Sequence, residues 1–546
     1  MSCNEAKKFD VIILGSGLAG SILATILAKH NLRVLNIDKN AHPRFAIGEA
    51  VTPDTDLMLK ILSYQYSVPE IAHLSSFDNI CDRISPSACG YKRSFNFIYH
   101  HEIQGKVASE YDKLGVHPSS HLFRQDIDQY MVKVAISYGV KLLENTVVKD
   151  LTIDADSVAV QIDSGEQFIA DYLVDASGYN SPVSRKFNLR ENPTRFKTHS
   201  RTIFTHMMGV KKYDDCIQST ERQDNLSWHE GTLHHIFDGG WMWVIPFDNH
   251  KKSSNQICSV GVNFDPRRFP KTDLSAAAEF QNLLTSFPNI AIQFANAQPV
   301  RNWTSTGRLQ YSSHSCTGKR FYQLPHAAGF VDALYSFGLV NTYTILIPLA
   351  GRILKAFAEN DFSPNHFSEI ENLQQELFDY NDKLVNCSYI SFSNYKLWNA
   401  WRRVWILGST LRQWKAGIRK GLKIEAGKGE ELSRIQESNL DYLTPSFEGL
   451  GEDFFQDATK TVEQVAAGLI LPEEAAGQII SSINEIDFLP QNYLGLGNES
   501  HQYLDLLSRF GKSETSRFLS WIKTSPKPEV KKYFDYDIKD LVAAIK

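Results

Sequence analysis

Phe9 to Leu14 reads FDVIIL, an unbroken apolar run that predicts a short strand buried on both faces. A helical stretch follows to about Lys29, and a second strand, Val34 to Ile37, ends at Asp38. Farther on, a helix is predicted over Asp126 to Tyr138. Two strands are predicted in GVKLLENTVVKDLTI, and one more in ADYLVDASG. Between residues 200 and 265 the pattern changes to period two, through HMMGV, TLHHIF, WMWVIPF and ICSVGVNF, which predicts an antiparallel sheet. Thr272 to Phe287 and Tyr343 to Glu359 read as helices, and Pro348 would bend or start the second. From about residue 360 the spacing is mostly helical, and residues 424–545 carry no assignable motif. Within GGWMWVIP, residues 239–246, Trp241, Trp243 and Ile245 share one strand face, while Met242 and Val244 take the other. Taken alone, that strand is an aromatic face packed on a core.

At 546 residues the chain is too long for one hydrophobic core. A net charge of −5 gives no reason to expect nucleic acid or an anionic membrane. The seven cysteines are odd in number, widely spaced and contain no CxxC, which argues against a disulfide framework and a zinc site. His234 and His235 are adjacent on a strand and point to opposite faces, so no metal is expected there. The first residues hold no basic stretch before an apolar run, and no later segment approaches 18 uninterrupted apolar residues. A cytoplasmic protein with neither signal peptide nor membrane span is expected.

Gly15-Ser16-Gly17-Leu18-Ala19-Gly20 supplies G-x-G-x-x-G between the first strand and its helix. Gly15 would allow the tight turn, Gly17 the approach of a pyrophosphate, and Gly20 close packing of helix on strand. Asp38 stands where an acid binds a ribose hydroxyl. The dinucleotide loop, the segment from Arg44 to Glu49, Arg124 before a helix and the later DASG together resemble the para-hydroxybenzoate hydroxylase-like flavoproteins. The resemblance implies FAD, held by the loop residues with Asp38, Lys39, Ile47, Glu49, Arg124, Val148, Ser177, Gly178 and Asp332.

Within that superfamily the chain resembles the flavin-dependent halogenases of the tryptophan-halogenase-like family. GSGLAG, RFAIGEA, the W-x-W-x-I-P signature in WMWVIP, and Lys92 followed five residues later by Phe97 carry the likeness. It implies an FADH2- and O2-dependent enzyme that oxidises chloride or bromide to hypohalous acid. Lys92 would deliver the halogen to an electron-rich ring. Ser336, Phe337 and Gly338 would line the halide end, and Trp241, Trp243, Ile245 and Pro246 would wall organic substrate away from the flavin. A lysine among aromatics, as in YKRSFNF, has its charge disfavoured by desolvation; without the motifs it would read as a surface lysine. A separate NAD(P)H flavin reductase is implied as partner. The alternatives are a flavin monooxygenase that hydroxylates, and a catalytically quiet member that binds FAD or a carrier protein.

The pattern departs from the family in three places. His326 stands where an aspartate usually meets the ribityl chain, and Ala333 where a proline is usual. Tyr335 replaces the glutamate that precedes the serine in tryptophan halogenases, which points to phenols or pyrroles, free or carrier-tethered. The expected fold is α/β: a Rossmann-type FAD-binding domain (1–195 and 300–358), an antiparallel-sheet substrate domain (196–299) and a helical C-terminal region (359–546). In the last, Trp398, Trp401, Trp405 and Leu411 recur near helical spacing among Arg402, Arg403, Arg412, Lys415, Arg419, Lys420 and Lys423. This stretch is a stripe packed over the pocket, a docking face for an acidic carrier, or a membrane-surface helix.

Overall fold

The computed structural model describes residues 7–103, 106–217, 226–434, 440–490, 493–505 and 512–534. Strand Lys7–Leu14 lies parallel between Val34–Ile37 and Gln167–Asp175, and Phe321–Gln323 continues the sheet beyond the latter. Val11, Ile12 and Ile13 are wholly enclosed, as a run apolar on both faces requires. Phe321–Gln323 brings the distant segment 324–338 to the carboxyl ends of the strands beside the glycine loop, the place where open α/β sheets bind ligands.

The second sheet has nine strands among the described residues. Arg201–Met208, Cys258–Phe264, Gly240–Pro246 and Gly231–Phe237 pair antiparallel in that order, and Gly231–Phe237 then pairs in parallel with Gly90–Ile103. Gly90–Ile103 and Lys106–His121 therefore build this sheet, although they fall inside the segment 1–195 expected for the first. Period two holds: Trp241, Trp243 and Ile245 enter the main core with Phe95 and Phe97, while Met242 and Val244 enter a second core. Helices Ala276–Ser286 and Pro288–Phe294 contribute to that second core.

Two helix starts differ from the sequence expectation. Ser275 caps Ala276–Ser286 through the Ala278 N–H, so Thr272 lies outside it. The other helix runs Phe337–Glu359, starting at neither Tyr343 nor Pro348, and carries Pro348 inside. By length and composition this helix would cross a membrane, yet Ile345 to Ala350 are fully buried in the core.

Helices Ser368–Ser391 and Tyr395–Ala416 pack on the main core, and Glu452–Ala466 and Pro472–Glu485 pack on those helices. Trp398, Trp401, Trp405 and Leu411 pack inward as a stripe, and Arg402, Arg403, Arg412 and Lys415 are enclosed with them. Arg402 donates to Asp112 at 2.7 Å, Arg403 to the carbonyls of Leu496 and His501, and Arg412 to Asp54 at 2.6 Å. Each buried guanidinium has a partner, as its desolvation demands. Tyr395–Ala416 is thus neither a docking face nor a membrane-surface helix.

Candidate active site

The loops that follow strands Lys7–Leu14, Gln167–Asp175 and Phe321–Gln323 open onto one cavity of about 320 Å³. Gly15 takes φ +96°, and a Cβ there would lie 2.6 Å from the Ala176 carbonyl oxygen. A Cβ on Gly20 would lie 2.0 Å from the Gly15 carbonyl oxygen. At Gly17, by contrast, an added Cβ meets nothing closer than Arg44 at 3.7 Å. Helix Leu18–Lys29 has no acidic residue in its first turn and no side-chain cap, so its positive end stays available to an anion beside the cavity.

Arg124 lines the same cavity, its fork fixed by Asp128 at 2.7 and 3.0 Å and by the Ile47 carbonyl at 2.6 Å. Asp38 accepts from the Ser16 N–H at 2.8 Å, the Ser16 hydroxyl at 2.9 Å and Arg44 at 3.1 Å. Burial pushes its pKa up, but Arg44 and Ser16 outweigh that and hold it below the usual carboxylate range. Glu49 accepts from His206 Nε2 at 2.7 Å, tying this cavity to the second sheet.

Trp241, Trp243 and Ile245 line the same cavity as the glycine loop, together with Thr232 and His234. The Trp243 indole lies against Gly261, where a Cβ would come 2.1 Å from Cζ2. Trp241 donates to the Tyr389 hydroxyl at 3.2 Å, and Tyr389 donates to Asp332 at 3.1 Å. Asp332 also accepts from Ser200 at 2.9 Å; burial raises its carboxyl to about 6 against these donors.

Beyond the wall, the His234 ring lies 5.7 Å from Trp241 and stacks on Phe97 at 4.7 Å. Behind Phe97 and Phe95 lies a second, tight cavity of about 20 Å³, bounded by Phe95, Leu114, Tyr335, Phe337, Trp405 and the Asp54–Arg412 pair. Tyr335 stacks on Trp405 at 4.6 Å and hydrogen-bonds Ser388 at 2.7 Å. Ser336, at φ +58°, borders the first cavity and Phe337 the second, so the amino end of helix Phe337–Glu359 lies at their junction.

Lys92 does not line the second cavity but lies against Phe95, one of the rings that bound it. It is fully buried, its Nζ has no hydrogen-bond partner, and it sits 3.7 Å from the centre of the Phe95 ring. In a regular strand, residues three or five apart face opposite sides. Here the pairing is irregular between Lys92 and Ser94. The facing strand spends residues 116–118 where the lysine strand has Arg93 alone, so strict alternation fails at this point. Burial lowers the lysine to about 7, with Asp56 opposing. His121 and His234, close enough to feel it, are each pushed to about 3 by burial and stay neutral.

Residues 99–430 match the tryptophan halogenase family, and residues 13–67 match the NAD(P)-binding Rossmann-like domain. The chain is 42% identical over 546 residues to monodechloroaminopyrrolnitrin halogenase PrnC of Pseudomonas fluorescens, covering 98% of this chain and 95% of that protein. The chain belongs to the tryptophan-halogenase family of flavin-dependent halogenases. Tetracycline 7-halogenase of Kitasatospora aureofaciens is 37% identical, with 99% and 97% coverage. A solved structure of halogenase PltM with phloroglucinol and FAD superposes at a TM-score of 0.82, with 33% identity over 91% of this chain and 99% of that one.

This halogenase therefore uses FAD, as FADH2, with halide and O2. The first cavity fits the cofactor: space is left open at Gly17, a helix amino end adjoins it, and Arg124 lies inside. Of the residues expected to hold FAD, Gly17, Leu18, Ala19, Ile47, Glu49, Arg124 and Asp332 line this cavity. Gly15, Ser16, Gly20 and Asp38 shape the loop behind it. Lys39 is exposed, and Val148, Ser177 and Gly178 are half-buried away from the lining. Pro246 lies outside the wall; its carbonyl accepts from His121, and it borders a cavity of about 270 Å³. His326 and Ala333 do line the chamber, and burial holds His326 at about 4, neutral beside Thr342. Thr232, His234, Phe95, Trp405 and Tyr389 were not singled out from the sequence as site residues. Thr232 and His234 were within reach, because they share one face at period two on the strand beside Trp241 and Trp243, where His234 stands opposite Trp243.

Proposed function

We propose that this halogenase oxidises chloride or bromide at the flavin and transfers the halogen, at Lys92, to an electron-rich ring bearing a phenolic or comparable donor. The separation of the two chambers carries this reading. Trp241 and His234 line the flavin-side cavity, His234 stacks on Phe97, Phe97 meets Trp405 of the second, and Lys92 sits against Phe95, which supports an aromatic partition that would keep an organic ring from the flavin while admitting a small oxidant.

Bound reduced FAD, with O2 and halide, would supply hypohalous acid. The chain's own residues hold the halide, the oxidant and the ring. Backbone amides at the amino end of helix Phe337–Glu359 favour halide, with no acid in that helix's first turn to oppose it. Lys92, with its amine and ammonium forms both accessible near neutral pH, can hydrogen-bond the oxidant and give its oxygen a proton. Phe95, Trp405, Tyr335 and Phe337 make the region beside Lys92 aromatic, which suits an arene once these rings part to admit it. Tyr335 supplies no carboxylate, so the substrate ring must be activated by its own substituent. The solved complex of PltM with phloroglucinol supports a phenol, and the matched carrier-bound pyrrole chlorinase shows the tethered alternative elsewhere in the family. A separate flavin reductase would supply reduced cofactor.

The test supplies purified protein with FAD, an unrelated flavin reductase, NADH, O2 and bromide or chloride, against phenols, anilines, pyrroles and indoles. Products are read by high-resolution mass spectrometry, with Lys92→Ala in parallel. A halogenated phenol absent from the variant is expected. A product heavier by one oxygen would replace the halogenase reading with hydroxylation.

A further inference from the structure

Three buried polar groups meet at the lysine with their hydrogen bonds unmade. Lys92 Nζ, Asp56 Oδ1 and Ser119 Oγ have no partner, and all three residues are at least nine-tenths buried. Native proteins pair the great majority of such atoms, so three unpaired at one spot call for an explanation. Ser119 stands directly opposite Lys92 across the strand pair, which places the two side chains side by side. Asp56 reaches the same spot from helix Pro53–Tyr66, whose amino end is fixed by a capping box between Thr52 and Thr55. The Ser119 hydroxyl eases the burial penalty on Asp56, yet neither atom completes a hydrogen bond of normal geometry.

We propose that Asp56 shares a proton with Lys92 through Ser119 and so keeps the lysine charged for each turnover. This rests on Lys92 being the halogen-delivering residue. The ring's π pair attacks the halogen of hypohalous acid and the oxygen–halogen bond breaks. Hydroxide leaves with a proton from the Lys92 ammonium, as water. The ring carbon then loses its proton to the lysine amine and regains aromaticity. Hypohalous acid and arene become haloarene and water, and the lysine ends as it began. Asp56 acts through Lys92: its proton, shared by way of Ser119, steadies the amine until the ring proton arrives there, and then returns wholly to Asp56. It is a positioning residue, placed where Tyr335 offers no acid.

The groups around the pair leave this exchange to them. Asp56 is the charge opposing the desolvation of Lys92, while Lys60 and Lys92 favour, and Asp54 disfavours, the charged form of Asp56. Burial raises Asp56 well above the usual carboxylate range, so it can hold a proton that an exposed aspartate would lose. From the other elements His121 and His234 stay neutral, and burial keeps Tyr343 protonated.

The test compares Asp56→Asn, Asp56→Glu and Ser119→Ala with wild type, using a phenol accepted by the wild-type enzyme. Asp56→Asn should lower kcat on the order of 100-fold, the low end for a positioned proton donor, with KM and FAD affinity unchanged. Free hypohalous acid, read with a thiol or amine trap, should still form. The alkaline limb of the kcat profile should move to lower pH, because an amide has no proton to release ahead of the lysine and then no charge with which to hold the lysine's own. Asp56→Glu should restore part of the rate, and Ser119→Ala should lower kcat with an unchanged melting temperature. Wild-type kcat and pH profile in both Asp56→Asn and Ser119→Ala would overturn the proposal. So would loss of trapped oxidant or FAD binding in step with kcat. If Asp56→Asn fails to fold, a wild-type rate in Ser119→Ala overturns it. Full halogenation by Lys92→Ala would instead overturn the reading on which it rests.

Discussion

Trp241 and Tyr389 are joined by a hydrogen bond of 3.2 Å between indole N–H and phenol oxygen, and the phenol donates onward to Asp332. The tryptophan wall is thereby fastened to both the helical cover and the loop that borders the flavin chamber. Tyr389→Phe removes the joint and leaves the Trp241 N–H and one site on Asp332 unsatisfied. A loss of about 1–3 kcal/mol in stability is expected. Asp332 titrates at about 6 in the fold, against 3.8 unfolded, so its penalty is absent at low pH and enters as pH rises through that window. Removing a donor raises its folded pKa further. The deficit of Tyr389→Phe in denaturation experiments should therefore be larger at pH 8 than at pH 5, and a constant deficit would show that Tyr389 does not serve Asp332.

Gly17 and Gly20 share a motif and differ in what surrounds them. Gly17 has φ −66° and ψ 179°, which alanine adopts freely, and open space where the Cβ would go. Gly17→Ala should stay within about 1 kcal/mol of wild-type stability, while FAD affinity, measured by fluorescence titration, falls at least about 10-fold. In Gly20→Ala the Cβ strikes the Gly15 carbonyl oxygen, so the fold itself should suffer, with less folded protein recovered before any FAD is added. Equal behaviour of the two variants would contradict the separate roles of the glycines.

The wall depends on a third glycine. Gly261 faces Trp243 across the strand pair, and the indole occupies the volume a side chain would fill. Gly261→Ala must therefore displace the indole and weaken its 3.2 Å bond to Ser259. If the wall keeps substrate from the flavin, the ratio of oxygenated to halogenated product should rise in this variant. Mass spectrometry of the phenol products decides it: an unchanged ratio at reduced stability would make Trp243 a packing residue alone.

Much of this was legible in the sequence. FDVIIL with GSGLAG and the alternation of WMWVIP are local patterns, fixed by strand period and by glycine's missing side chain. They appear in the structure as strand, turn and wall. What was hidden depends on contacts between distant segments. The Lys92–Phe95 stack arises from a register irregularity that no single-strand pattern encodes. Tyr389 and Trp405 arrive from helices far along the chain. The arginines of Tyr395–Ala416 left a docking face and a membrane-surface helix open beside the packed stripe, because their partners, Asp112, Asp54 and the carbonyls near residue 496, lie far away in sequence. Helix Phe337–Glu359 begins earlier than its apolar run suggested, because the turn at Ser336 launches it from the cofactor loop.

A buried lysine without a hydrogen bond is a stability cost kept for chemistry, and that can be measured. Lys92 titrates at about 7 in the fold, against 10.5 unfolded. Below about pH 7 the lysine is charged in both states and the burial penalty is complete. As pH rises toward 10.5 the unfolded chain also loses its proton, and the penalty fades. Lys92→Met fills the same space without a charge. It should be more stable than wild type by a few kcal/mol at pH 6, on the order of 1.4 kcal/mol for each tenfold loss of proton affinity on folding, with the gap closing by pH 10. The same variant should bind FAD normally and yield no halogenated phenol. A Lys92→Met protein no more stable than wild type at pH 6 would mean that the ammonium is satisfied in solution by water or an anion, and the unpaired lysine would then be no measure of the site's strain.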